Sequence, residues 1–240
     1  MIPLKDDNPT STFPFFTILF IVANVSVFAY QLSLGTANME PFVRRMAVIP
    51  SEIAHGFAVS EYPTLLTSLF LHGGLIHLLG NMLYLWIFGN NIEDALGHFP
   101  FVLFYLLCGV AASLTHIILN VSSDVPVIGA SGAISGVLGA YLVLYPRARV
   151  LAAVPILFFI RIVRVPAAFL LIVWIALQVV SGLPSLLTDA GGGTGVAWFA
   201  HMGGFLAGIV LLPLFLLRRR HARRPQGSQA FRSEPNRRWK

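Results

Sequence analysis

Six long apolar runs leave this chain very little choice of fold. They cover residues 13–34, 74–92, 99–119, 131–145, 166–181 and 197–217, and none contains Asp, Glu, Lys or Arg. In lipid, backbone N–H and C=O groups have no solvent partner, so only helices and closed barrels cross a bilayer. Barrel strands would alternate apolar and polar residues over about ten positions, and these runs do not alternate. Composition agrees: 56% of the 240 residues are hydrophobic and 11% are charged, against about 25% charged in soluble domains. The expectation is an all-α polytopic bundle of six transmembrane helices over residues 13–217. A cytoplasmic segment, 1–12, precedes it and a basic tail, 218–240, follows. The first run is long for a cleavable signal, and Asp6 and Asp7 offset Lys5 before it, so it reads as a retained helix.

Charge sets the orientation, because inner loops carry the excess of Lys and Arg. With both termini inside, 14 of the 16 basic residues fall on the cytoplasmic side; Arg44 and Arg45 are the two outside. Nine of the 14 lie in the tail, which reads as a positively charged anchor rather than a nucleic-acid site and, with its interspersed Pro, Gly and Ser, as disordered. Residues 150–160 are apolar but too short to span and are bracketed by arginines. They are expected to lie along the cytoplasmic interface. The outer loop 35–73 mixes apolar and charged pieces and is expected to pack on or partly into the outer leaflet. Cys108 is the one cysteine, so there is no internal disulfide and no cysteine metal cluster.

The fourth run is the short one. Fifteen residues make about 22 Å of helix, less than the roughly 30 Å hydrocarbon core. If Tyr145-Pro146-Arg147 marks the cytoplasmic surface, Ser131 begins several ångströms below the outer one. The non-helical segment 124–130 before it then requires protein or a water-filled cavity around it.

The second, fourth and sixth helices all run from outside to inside, so His77, Ser131 and His201 reach a similar depth. Ionisable groups in the membrane are functional candidates by default. Serine needs a base within hydrogen-bond reach, and His201 is the best candidate. Gly132 and Gly136 give the fourth helix a small face, Gly204 and Gly208 form G-x-x-x-G on the sixth, and Gly129, just before the serine, is expected to pack with them. Such faces let helix backbones approach closely in lipid, which would bring the imidazole to the hydroxyl. The Ser131 N–H is free because it begins a helix. His77 and Asn81, four residues apart, share a helix face and can add donors to an oxyanion site. With no acid inside any span, the unit should be a Ser–His dyad, with no cofactor and no metal.

His77-Leu78-Leu79-Gly80-Asn81, Gly129-Ala130-Ser131-Gly132 and the run Ala200-His201-Met202-Gly203-Gly204-Phe205-Leu206-Ala207-Gly208 resemble the rhomboid family of intramembrane serine proteases, across nearly the whole span region. The resemblance implies Ser131 as nucleophile, His201 as general base and acid, and His77 and Asn81 as oxyanion donors. It also implies transmembrane protein substrates cut near the outer face, and access gated by the fifth helix and the following loop, here Gly191-Gly192-Gly193-Thr194-Gly195. The six-helix members it resembles are bacterial, which implies the inner (plasma) membrane. The lipid bilayer is then the surrounding partner; no nucleic acid is expected, and oligomeric state is left open.

Two departures stand out. Many bacterial members carry an aromatic residue one turn below the serine, stacked on the histidine; Ser135 stands there, so His201 must be positioned another way. A Trp-Arg pair found in many first loops is missing, the nearest run being Phe42-Val43-Arg44-Arg45. His72 reads as a structural hydrogen bonder, and His55, His98, His116 and His221 as interfacial or solvated. Among rival chemistries, H-E-x-x-H is absent, no span carries an aspartate pair, and position 133 is Ala where a G-x-S-x-G elbow needs Gly. A rhomboid-like pseudoprotease would lack the serine or the histidine, and a six-helix transporter gives no reason for the pair.

Overall fold

The computed structural model describes residues 1–56, 61–156, 159–187 and 197–222. A strand, β1 (Ile2–Asp6), is followed by a long helix, α1 (Phe15–Ser33). The first loop holds α2 (Gly35–Met46), α3 (Pro50–Gly56) and α4 (Thr64–Thr67). Next come α5 (Leu75–Tyr84), a wide turn over Leu85–Gly89 and α6 (Asn90–Leu96), then α7 (His98–Leu119) and α8 (Ser131–Leu144). A hairpin of β2 (Arg149–Ile156) and β3 (Phe159–Pro166) leads to α9 (Ala167–Leu187) and α10 (Trp198–Ala222).

Three described helices, Phe15–Ser33, His98–Leu119 and Trp198–Leu217, are long and apolar enough to cross a membrane. A fourth candidate is the pair Thr64–Phe70 and Leu75–Leu96, whose halves meet at 97°. Ser131–Leu144 and Ala167–Leu183 are apolar but shorter. The architecture is thus a mostly helical bundle of the expected class.

Its centre is α8. Every residue from Gly132 to Tyr141 is buried, which explains a helix apolar on all sides. Glycines lower intrinsic helix stability, but here they remove side chains where neighbours touch. A Cβ on Gly204 would fall on the carbonyl oxygen of Gly132, and one on Gly208 on that of Gly136. A Cβ on Gly139 would strike the carbonyl of Phe205. On its other side, a Cβ on Gly132 would meet Ala112 of α7 at 2.6 Å. So α8 lies backbone to backbone with α10 and against α7, as small-residue faces permit in lipid.

The chain ahead of α8 meets its hydrogen-bonding needs from the first loop. Val48 and Val127 exchange backbone hydrogen bonds at 3.2 and 2.7 Å, and Gly129 N–H donates to the Ser68 carbonyl at 2.9 Å. The Ser51 hydroxyl donates to Asp124 at 2.5 Å. Ala47, Val48, Ile49, Leu65 and Leu69 are buried beneath this seam. Burial deepens along this segment, from the exposed Asp124 and Val125 through the half-buried 126–128 to the buried Gly129 and Ala130. The last residues before Ser131 thus have protein around them, one of the two solutions open to non-helical backbone at depth.

The opposite end differs from expectation. Residues 150–156 and 159–160 are strand, and β1–β2–β3 form an antiparallel sheet in that order. Val150, Val154, Ile160, Ile162, Val163 and Val165 are β-branched and favour extended backbone over helix, so this apolar stretch folds as a hairpin. The N-terminal segment is held to the bundle: Asp6 accepts hydrogen bonds from Tyr141 of α8 at 2.7 Å and Asn91 of α6 at 2.8 Å. Burial raises the Asp6 carboxyl above its ordinary range, and these two hydrogen bonds partly offset the rise. Nearby, the fully buried Glu93 accepts from Phe16 N–H, Thr17 N–H and the Thr17 hydroxyl at 2.7–2.9 Å. An acid at a helix N-terminus satisfies orphan donors and complements the dipole.

Replacing Gly208 with Ala should force α8 and α10 apart. The expected loss is about 1–3 kcal/mol, typical of overpacking, seen as a lower unfolding midpoint for the purified protein in detergent. An unchanged midpoint would mean that the contact yields without cost.

Candidate active site

Ser131 is the first residue of α8 and His201 lies in the first turn of α10. His201 Nε2 stands 2.8 Å from Ser131 Oγ. The two residues are 70 positions apart, and the glycine contact one turn further in sets their distance. Gly204 follows His201 by three residues, and it rests on the carbonyl of Gly132, the residue after the serine. Gly132, Gly136, Gly204 and Gly208 therefore all lie in the helix contacts expected of them. Gly136 also makes room for the buried Cys108.

Gly129 has a different place. It precedes the helix with φ +120°, a left-handed backbone that side chains rarely adopt. A Cβ here would stand 2.9 Å from Cε1 and Nε2 of His77 and 3.7 Å from Nδ2 of Asn81. Its role is to let His77 and Asn81 of α5 approach the start of α8, not to pack two helices. All four polar residues singled out in the sequence thus converge on one point. Asn81 is buried, Ser131 and His201 are half-buried, and His77 is exposed at the rim.

Hydrogen bonds orient this second pair. The Gly73 N–H donates to His77 Nδ1 at 3.5 Å, which leaves Nε2, on the Gly129 side, to carry the ring hydrogen. Asn81 Nδ2 donates to His72 Nε2 at 3.0 Å. The main chain of His72 is in turn held on both sides by the Gln31 amide of α1, at 3.1 Å each. His72 is a hydrogen bonder, as expected. His116, expected to be interfacial or solvated, is buried, with its ring 6.5 Å from that of Phe199. A cavity of about 20 Å³ adjoins Ser131, lined in part by Ser68, Ser113 and Gly129. It is large enough for one water.

Ser135 makes no hydrogen bond to His201. Its hydroxyl donates back to the Ser131 carbonyl at 2.6 Å. Two residues of α9 take up the histidine instead. The Trp174 ring lies 5.9 Å from the imidazole at 39°, and Gln178 Oε1 lies 2.8 Å from Nδ1. Neither belongs to the acids and histidines whose residue type alone marks a histidine's partner in a sequence. The available signal was that Gln178 is the one hydrogen-bonding side chain between Ala167 and Val180 apart from the Trp174 indole. Among the described residues, no group of three or more His, Cys, Asp or Glu is placed to hold a metal.

The Rhomboid domain matches residues 59–218, two thirds of the sequence. This chain belongs to the rhomboid family. Rhomboid protease GluP of Bacillus subtilis is 39% identical over 130 residues, which cover 54% of this chain and 24% of that protein. RHOMBOID-like protein 1 of Arabidopsis thaliana is 27% identical over 231 residues, covering 86% of this chain and 54% of the relative. Rhomboid protein 1, mitochondrial, of Saccharomyces cerevisiae is 31% identical over 161 residues, covering 63% and 41%. This rhomboid thus spans from about a quarter to about half the length of these relatives. The matched region contains His77, Asn81, Ser131 and His201.

A methyl group at position 129 is both strained and obstructed. In this rhomboid, Gly129→Ala should lose about 1–3 kcal/mol of stability from the unfavourable backbone conformation alone, measurable as a fall in the unfolding midpoint. A variant as stable as the parent would show that the turn relaxes freely.

Proposed function

We propose that this rhomboid is an intramembrane serine endopeptidase. It cleaves transmembrane protein substrates near the extracytoplasmic face through a dyad of Ser131 and His201. The observation that carries this reading is the 2.8 Å approach of His201 Nε2 to Ser131 Oγ at the N-terminal ends of two apolar helices. A protein that only bound membrane segments would have no need of a base held against a hydroxyl.

The chemistry is acyl transfer. Ser131 Oγ attacks the scissile carbonyl carbon while His201 Nε2 takes the hydroxyl proton. The carbonyl oxygen becomes an oxyanion and is met by the free N–H of Ser131, the Nε2–H of His77 and the Asn81 amide. These donors are fixed before reaction, which is what makes them effective. Asn81 has two amide hydrogens and gives one to His72, so the other remains for the oxyanion. His201 then passes its proton to the leaving amine, the C–N bond breaks, and an acyl-serine remains. Water attacks that ester with His201 again as base, regenerating the serine and releasing a carboxylate.

This reading places all six apolar helices across the bilayer, both termini in the cytoplasm and the chain in a bacterial inner membrane. The short α8 supports a serine below the outer surface. The loop 191–195, which the resemblance implies helps gate access, lies outside the described residues, as does the tail from 223 onward.

Ser131→Ala and His201→Ala should each abolish cleavage of a reporter transmembrane substrate in membranes while the protein still inserts. Full activity in either would end the dyad assignment. Asn81→Ala should remove one oxyanion donor, worth about 2.7–4 kcal/mol, or 10²–10³ in kcat. That is a smaller loss than from Ser131→Ala, and an unchanged rate would take Asn81 out of the site.

A further inference from the structure

A histidine can serve as base only through a nitrogen that lacks a hydrogen. Neutral imidazole carries one N–H and one lone pair, and whichever group meets one nitrogen decides what the other can do. His201 has two neighbours at hydrogen-bond distance: Ser131 Oγ at 2.8 Å from Nε2, and Gln178 Oε1 at 2.8 Å from Nδ1. An amide oxygen has no hydrogen to give. The Nδ1 contact is a hydrogen bond only if Nδ1 carries the proton, which leaves the Nε2 lone pair facing the Ser131 hydroxyl.

We propose that Gln178 is a positioning residue for the dyad, holding His201 in the Nδ1–H form that makes Nε2 a base. This rests on the peptidase reading above and supplies the anchor that Ser135 does not. Were the amide turned over, its NH₂ would donate to Nδ1, the ring hydrogen would sit on Nε2, and Ser131 would have no base.

Three features of α9 support the assignment. Gln178 is only 7% exposed, although it sits in an otherwise apolar run facing lipid and protein; a buried amide is costly without a partner. Trp174, one turn earlier, places its ring 5.9 Å from the same imidazole and 6.2 Å from Phe205. One turn later comes Gly182, where a Cβ would stand 3.1 Å from that of Trp198. The stripe 174–178–182 is thus the face that α9 applies to α10, with Gln178 directed at His201. The hydrogen-bonded series Gln178–His201–Ser131 ties α9, α10 and α8 together.

The groups set against His201 are Ser131 from α8, Trp174 and Gln178 from α9, and Trp198 from its own helix, while His77 from α5 and His116 from α7 act on it electrostatically. None is a carboxylate. Gln178 therefore fixes the tautomer without adding charge, and replacing it with Glu adds the first acid to the set.

The test compares kcat and KM against pH for the full-length protein in liposomes, using a fluorogenic transmembrane reporter and Ser131→Ala as blank. Gln178→Leu keeps the volume but removes the acceptor, and its kcat should fall by about 10- to 100-fold with KM little changed. Gln178→Glu keeps an acceptor, so it should retain most of kcat at high pH. Its carboxylate favours imidazolium, so the acid limb of its profile should move to higher pH. A Gln178→Leu enzyme with parental kcat and acid limb would overturn the proposal. So would equal loss in both variants with no displaced limb, which would mark position 178 as packing alone. A parent no faster than Ser131→Ala would instead bring down the peptidase reading itself.

Discussion

The structure depends on one contact, where the backbone of α8 meets that of α10 with no side chain between them. Gly132 and Gly136 present carbonyl oxygens where Gly204 and Gly208 present bare Cα atoms. Lipid tails are as apolar as leucine, so helices in a membrane gain little from hydrophobic segregation and associate through close packing. Here the closest approach lies one turn from Ser131 and His201. It sets a hydrogen-bond distance between residues on two helices, and any methyl group added along it would open that distance.

Around that contact the chain solves two problems of burial. The irregular stretch before Ser131 receives its hydrogen bonds from the first loop, through Val48–Val127 and Gly129–Ser68. At the far end, Glu93 saturates the first N–H groups of α1, and Asp6 ties the N-terminal strand to Tyr141 and Asn91. Both ends of the bundle are thus closed by polar groups with partners. The middle, where α8 runs, can be apolar and tight. The site sits where the closure is incomplete, with His77 exposed at the rim and a cavity beside Ser131.

Much of this was legible in the sequence because it follows from strong, local rules. Uncharged runs announce membrane helices, basic residues announce the inner side, and a G-x-x-x-G beside a histidine announces a close helix partner. Those rules led to Ser131, His201, His77 and Asn81, which the fold brings to one point. They missed the hairpin because a short apolar run between arginines fits an interfacial segment and a strand alike, and only pairing with β1 and β3 decides. Gly129 was read as packing because its left-handed turn is invisible until its backbone is known. Gln178 carries no distinctive sequence signal, because an amide in an apolar helix usually serves as interhelical glue; its meaning appears only when α9 is laid against His201.

Helix spacing and chemistry are linked through the distance between Ser131 and His201. The most direct test is the rate at which a fluorophosphonate modifies Ser131 in membranes carrying Gly204→Ala, located by mass spectrometry of the labelled peptide. A displacement of about 1 Å between catalytic groups can cost 10²-fold. Ser131 in the parent should therefore be labelled readily, and labelling should slow by about that factor in the variant while the protein stays inserted. Undiminished labelling of Ser131 in Gly204→Ala would contradict the claim that the glycine contact sets the dyad.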